Sequence, residues 1–203
     1  MNAINSVLNR IDNYRDTVID WQKNLVSIKA LGPENGGDGE LEKSKYVSSI
    51  LDNIGFDKIK VINAPDDRVS SKIRPNFLAK IYGENRDKTV WIMAHMDVVP
   101  EGDIKHWDSD PFELLVDGDK IIGRGVEDNH QGLVCSLLAA KAVREQQLTP
   151  KYNIGLAIVA DEECGSKYGL EYVLNNHREE FGDDDLIIVP DAGEPVGNTI
   201  EVS

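Results

Sequence analysis

Between Ile4 and Ile28 the apolar residues Ile4, Val7, Ile11, Tyr14, Val18, Trp21, Leu25 and Ile28 alternate steps of three and four, which predicts one amphipathic helix. The same spacing can be written as four heptads. The flanking positions Leu8, Arg15 and Gln22, and Arg10, Thr17 and Asn24, carry no complementary charges, so the helix is expected to cover its own sheet rather than to join a coiled coil. A glycine-rich break, LGPENGGDGE, follows, and then a second helix with Val47, Ile50, Leu51 and Ile54 on its apolar face, stopped at Gly55.

Strand patterns begin after Gly55. Phe56 to Ile62 alternates, Asn76 to Tyr82 reads as a strand, and Lys88 to Ala94 is apolar enough to be buried on both faces, with a turn at GENRD before it. Leu114 to Ile122 sets Asp117-Gly118 between two short apolar runs, a hairpin pattern. Gly132 to Val143 is apolar nearly all round and predicts a helix enclosed by the domain. Tyr152 to Ala160 and Leu186 to Val189 are further strands, with a helix from Lys167 to Asn175 between them. Helices bracketing a buried sheet imply a three-layer α/β domain, with no repeat, low-complexity segment or interdomain linker.

Composition narrows the function. The 203 residues are 40% hydrophobic and 29% charged, a folding composition. With 22 Lys and Arg against 36 Asp and Glu, the formal net charge of −14 disfavours nucleic acid and anionic membranes as partners. The chain has no apolar run of membrane-spanning length and no signal-peptide pattern at its start, so a cytoplasmic location is expected. Cys135 and Cys164 form no CxxC pair and are expected to be reduced thiols, Cys135 in the core and Cys164 structural.

The polar residues with chemical potential stand where strands end. His95 closes KTVWIMA with Asp97 two residues on, Ile121-Ile122 leads through GRGVED to Asp128, the strand to Ala160 runs into Asp161-Glu162-Glu163, and LIIVP runs into Asp191. Ligands of open α/β sheets gather at the carboxyl ends of strands, so these clusters are expected to converge. Taken singly, His95 is a satisfied histidine and each acidic group a solvated loop. Brought together, the carboxylates would repel one another without a cation, and an imidazole with several carboxylates suits zinc, manganese or cobalt. Asp97 is placed to orient His95 from behind. No HExxH, GxSxG, GxxxxGK[ST] or GxGxxG pattern offers another chemistry. An acidic module that binds calcium or a partner without catalysis is the alternative, though no EF-hand loop supports it.

AHMDVVP (94–100), GRGVEDNHQG (123–132), DEECGS (161–166) and PDAGEP (190–195), in this order, resemble the co-catalytic zinc exopeptidases and amidohydrolases. That family includes carboxypeptidase G, aminoacylase, carnosinase, succinyl-diaminopimelate desuccinylase and bacterial dipeptidases. The resemblance runs from about residue 10 to the end. It implies a three-layer α/β/α domain with a mixed, mostly parallel sheet, and two zinc ions, with cobalt or manganese as substitutes. His95 then ligates one zinc with Asp97 orienting it, Asp128 bridges both ions before a cis peptide to Asn129, Glu163 ligates the second ion and Asp191 completes the carboxylates. Glu194 is the runner-up for that last place. Glu162 matches the general base. Two divalent ions, three carboxylates and a hydroxide balance in charge, which leaves Glu162 free to move protons.

Two departures accompany the resemblance. Where many relatives carry a basic residue and Gly after the bridging Asp and its neighbour, this chain has His130-Gln131-Gly132, so His130 is expected to make a polar contact at a helix start; His106 and His177 are expected at the surface. Relatives also continue into a smaller lid and dimerisation domain and return for a second zinc-binding His. Residues 1–203 are therefore expected to be the N-terminal portion of the catalytic domain, incomplete and inactive alone. The implied reaction is hydrolysis of an amide bond in a dipeptide, short peptide or N-acyl amino acid, with homodimerisation through the lid.

Overall fold

In a computed structural model, which describes residues 3–191, the chain forms one α/β domain. α1 (Ala3–Ile11) and α2 (Arg15–Ser27) replace the single helix expected from Ile4 to Ile28. Two three-residue turns break it, with Asn13 N–H bonded to Arg10 O at 3.2 Å and Tyr14 N–H to Ile11 O at 2.9 Å. Asp12 and Asn13 are weak helix formers. The interruption lasts about one helical turn, so the apolar seam resumes on the same side and its periodicity hides the break. α3 (Leu41–Ile54) ends as expected, with Gly55 left-handed at φ 76° and its N–H bonded to Leu51 O.

The main sheet has the strand order β1 (Lys58–Pro65), β2 (Ile73–Ile81), β6 (Tyr152–Val159), β3 (Asn85–His95) and β7 (Leu186–Ile188). β2 is antiparallel to β1 and β6, whereas β6, β3 and β7 are parallel, so four of the five described strands run the same way. Alternation along the strands separates two cores. Phe77, Ala79, Ile81, Leu156 and Ile158 face the helices on one side; Leu78, Trp91 and Ala157 meet Val173 and Phe181 near α5 (Leu170–His177) on the other. The three-layer expectation is borne out. Gly155 lies opposite Trp91 in the β3–β6 pair, where a Cβ would sit 2.3 Å from the indole ring.

α4 (His130–Glu145) lies on β3 and β6 and is covered in turn by α1, α2 and α3, which accounts for its nearly all-round apolar character. The first two helices thus reach the sheet by way of α4. Cys135, expected in the core, is exposed: its place in an apolar run did not reveal that it faces away from both neighbours. β4 (Leu115–Asp117) and β5 (Lys120–Ile122) form the expected hairpin as a separate two-stranded sheet. Asp117 pairs with Lys120, so the turn is Gly118-Asp119 with φ 61° at Gly118, one residue later than the sequence pattern suggested. No helix among the described residues is long and apolar enough to cross a membrane.

Candidate metal centre

His95 ends β3 directly beside Val159 of β6, so the chains leaving these two strands start side by side. The buried imidazole donates from Nδ1 to the Asp97 carbonyl at 3.0 Å, which turns Nε2 toward the site. Nε2 lies 3.0 Å from Asp128 Oδ1, 3.7 Å from Glu162 Oε2 and 3.7 Å from Asp191 Oδ1. Asp97 orients His95 through its carbonyl, and its buried carboxylate stands 3.4 Å from the same Nδ1. That carboxylate also accepts the N–H groups of Glu162 at 3.1 Å and Glu163 at 3.0 Å, fastening the glutamate turn to the end of β3.

That turn starts at Asp161, left-handed at φ 62° and ψ 19°, which for a residue with a Cβ costs on the order of 1 kcal/mol. Asp161 Oδ2 accepts the Tyr168 N–H at 2.9 Å, and the Asp161 N–H donates to Glu40 at 3.2 Å. Gly169 allows the chain to fold back here, because a Cβ would fall 1.8 Å from Ala160 O. Cys164 follows, half-buried, its thiol pushed up to about 11 by burial.

Asp128 reaches the site by a different route from the one expected. β5 belongs to the hairpin, so Asp128 enters from the loop ahead of α4 and not from the main sheet. The Asp128–Asn129 peptide is cis, as the resemblance implied. Asn129 is buried and donates through Nδ2 to Asp191 Oδ1. Gly132 permits this, since a Cβ would lie 2.3 Å from Asn129 Oδ1 and 2.8 Å from Pro190 O. Glu194 lies outside the described residues.

His130 heads α4 fully buried, its Nε2 accepting from Lys43 Nζ at 2.8 Å. Burial and the neighbouring Lys43 hold this imidazole well below its usual pKa, and burial brings Lys43 down to about 7. It is therefore a helix-start contact. His106 is exposed, and half-buried His177 is beside Glu179 and Lys60, so among the described residues no second histidine joins His95.

Two donor groups share His95, His95–Asp128–Glu163 and His95–Glu162–Asp191, each with ligand atoms within 4.8 Å of one another. Burial opposes protonation of His95, yet its bond to Asp97 and the charges of Asp97, Asp191 and Glu162 outweigh it and raise the pKa to about 9. Burial and Asp128 push Glu163 up to about 7, and burial also raises Glu162, with His95 opposing. Glu163 Oε1 is buried without a hydrogen-bond partner. An orphaned carboxylate oxygen in a nest of acidic groups around one imidazole fits a divalent transition metal. The sequence pattern exposed these residues, and the resemblance pointed to Asn129; both missed Arg74, Glu40 and Lys43, which support them.

A family model for peptidase family M20/M25/M40 matches residues 91–203. An uncharacterized metallohydrolase of Methanocaldococcus jannaschii is 44% identical over 193 residues, 92% of this chain and 47% of the relative. A succinyl-diaminopimelate desuccinylase of a Wolbachia species from Brugia malayi is 28% identical, over 91% of this chain and 44% of its own length. Human carnosine dipeptidase 1 superposes with a TM-score of 0.80 at 25% identity, covering 95% of this chain and 42% of that one. The di-peptidase Dug1p of Saccharomyces cerevisiae gives 0.77 at 23% identity, with 93% and 41% coverage, a likeness of fold. The chain spans about half the length of the curated relatives it matches.

Proposed function

The chain belongs to peptidase family M20/M25/M40, and from that premise we propose that it carries the metal centre of an enzyme hydrolysing an amide bond in a dipeptide, short peptide or N-acyl amino acid. The observation that carries the reading is the meeting of His95, Asp128, Glu162, Glu163 and Asp191 around the buried Nε2 of His95. We place residues 1–203 in the N-terminal portion of the catalytic domain, the lid and dimerisation domain being a separate part of the fold.

His95 and Asp191 would hold one divalent ion, Glu163 the other, and Asp128 would lie between them. Two such ions, zinc by preference, would supply the Lewis acidity that polarises the scissile carbonyl and acidifies the attacking water. Glu162 takes the proton from that water and passes it to the departing amine, for which its half-buried carboxylate is placed 3.7 Å from His95 Nε2. Asp97 keeps Glu162 and Glu163 in place by gripping their N–H groups.

Metal analysis combined with Glu162→Gln tests the proposal. In an intact form of the enzyme the centre should take up zinc, cobalt or manganese; Glu162→Gln in that form should keep the metal and lose roughly 10²- to 10⁴-fold in turnover, about 3 to 5 kcal/mol. A protein that binds none of these metals, or a Glu162→Gln variant as active as the parent, would refute it. Calcium alone would favour the acidic binding module.

A further inference from the structure

We propose that Arg74, gripped by Glu40, is a positioning residue that fixes the Glu162–Glu163 turn at the metal centre; the inference rests on the hydrolase reading above. Arg74 lies on β2 with no exposed side-chain surface. Its Nε and Nη2 donate as a fork to the two oxygens of Glu40, which is also completely buried. Nη1 stands 3.2 Å from Asp161 Oδ1 and 3.3 Å from Asp66 Oδ2. Asp66 is shared with Arg68. Glu40 meanwhile accepts the Asp161 N–H at 3.2 Å. The guanidinium thus pairs in charge with Asp161 Oδ1, which accepts no hydrogen bond, while the Glu40 carboxylate holds the Asp161 main chain.

The location gives this group its meaning. A buried ion cluster seldom outperforms apolar packing of equal volume as a source of stability, and its better-attested use is to specify one arrangement. Asp161 is the left-handed residue from which Glu162 and Glu163 depart. The N–H groups of those glutamates are fastened by Asp97 from the β3 side. Arg74 and Glu40 fasten the same turn from the side of β2 and α3. With only one grip left, the turn can rotate about the other, and displacements near 1 Å at such a site carry penalties of about 10²-fold. Loss of a group supporting a metal ligand typically weakens the metal 10- to 100-fold.

The test uses Co²⁺ alone as probe, titrated into the parent chain and into Arg74→Lys, Arg74→Met and Glu40→Gln. Visible absorption reports the coordination, and circular dichroism with thermal unfolding reports the fold, all well below each variant's melting temperature. Arg74→Lys keeps the charge and loses the fork; Glu40→Gln keeps the shape and loses the charge. Folded variants should bind Co²⁺ about 10- to 100-fold more weakly with an altered spectrum, Arg74→Lys recovering part of what Arg74→Met loses. Parent-like affinity and spectrum in the folded variants would overturn the inference while leaving the hydrolase reading intact. Loss of fold in all three would overturn it too, since the cluster would then serve folding. A parent that binds no Co²⁺ removes the metal reading itself.

Discussion

A single residue, Asp97, links three parts of the centre: its carbonyl orients His95, and its carboxylate holds the N–H groups of Glu162 and Glu163. Asp97→Ala keeps the carbonyl but releases the glutamate turn. We expect metal affinity to drop about 10- to 100-fold, read by competition with a chelating dye; unchanged affinity would detach Asp97 from the centre. The candidate donors were legible because each follows a strand pattern, Asp128 at the greatest remove, and carries a carboxylate or imidazole. Arg74 and Glu40 were not. A charged residue in a sequence ordinarily belongs at the surface, and only the fold brings together two partners 34 positions apart and buries them.

At the scale of elements, hydrophobic period revealed where helices and strands lie but not where they stop. The seam through α1 and α2 stays in phase across the turns at Asp12 to Tyr14, so the break leaves no trace in the pattern. The hairpin turn is displaced by one residue because Asp117 completes a strand pair with Lys120. α1 is tied to the end of α4 by Glu145, which accepts from Arg10, from Tyr14 at 2.9 Å and from Lys141 at 2.6 Å. These bonds, that of Arg10 first, hold the Glu145 carboxyl down to about 2 against an ordinary 4.5. A depressed carboxylate stabilises the fold above its unfolded pKa and loses that contribution as pH falls through the folded value. Melting temperature should therefore decline between pH 4.5 and about 2, and decline less in Glu145→Gln. Because the pair is open to water, screening keeps the effect small. An identical acid profile in the variant would show that this tie does not matter.

For the molecule as a whole, the layer order was legible because helical and strand periods alternate along the chain, whereas strand order depends on pairings that no local pattern encodes. One consequence of that order is the position of β7, which among the described residues pairs only with β3 and leaves Leu186, Ile187, Ile188 and Val189 between 46% and 57% exposed. An apolar edge strand invites pairing with another chain. The protein should self-associate as its concentration rises, and Ile187→Lys should suppress this in sedimentation velocity; equal association in the variant would clear the edge. The parallel placement of β3 between β6 and β7 also sets an order in time. The prospective metal donors lie between positions 95 and 191 and meet only after distant segments have paired, a slow kind of contact to form. An ion therefore finds no site in the unfolded chain, and it cannot act as a seed for folding. In stopped-flow measurements, zinc should leave the refolding rate unchanged and slow unfolding, so that the ion locks a structure the chain has already reached; faster refolding would mean that part of the centre forms early.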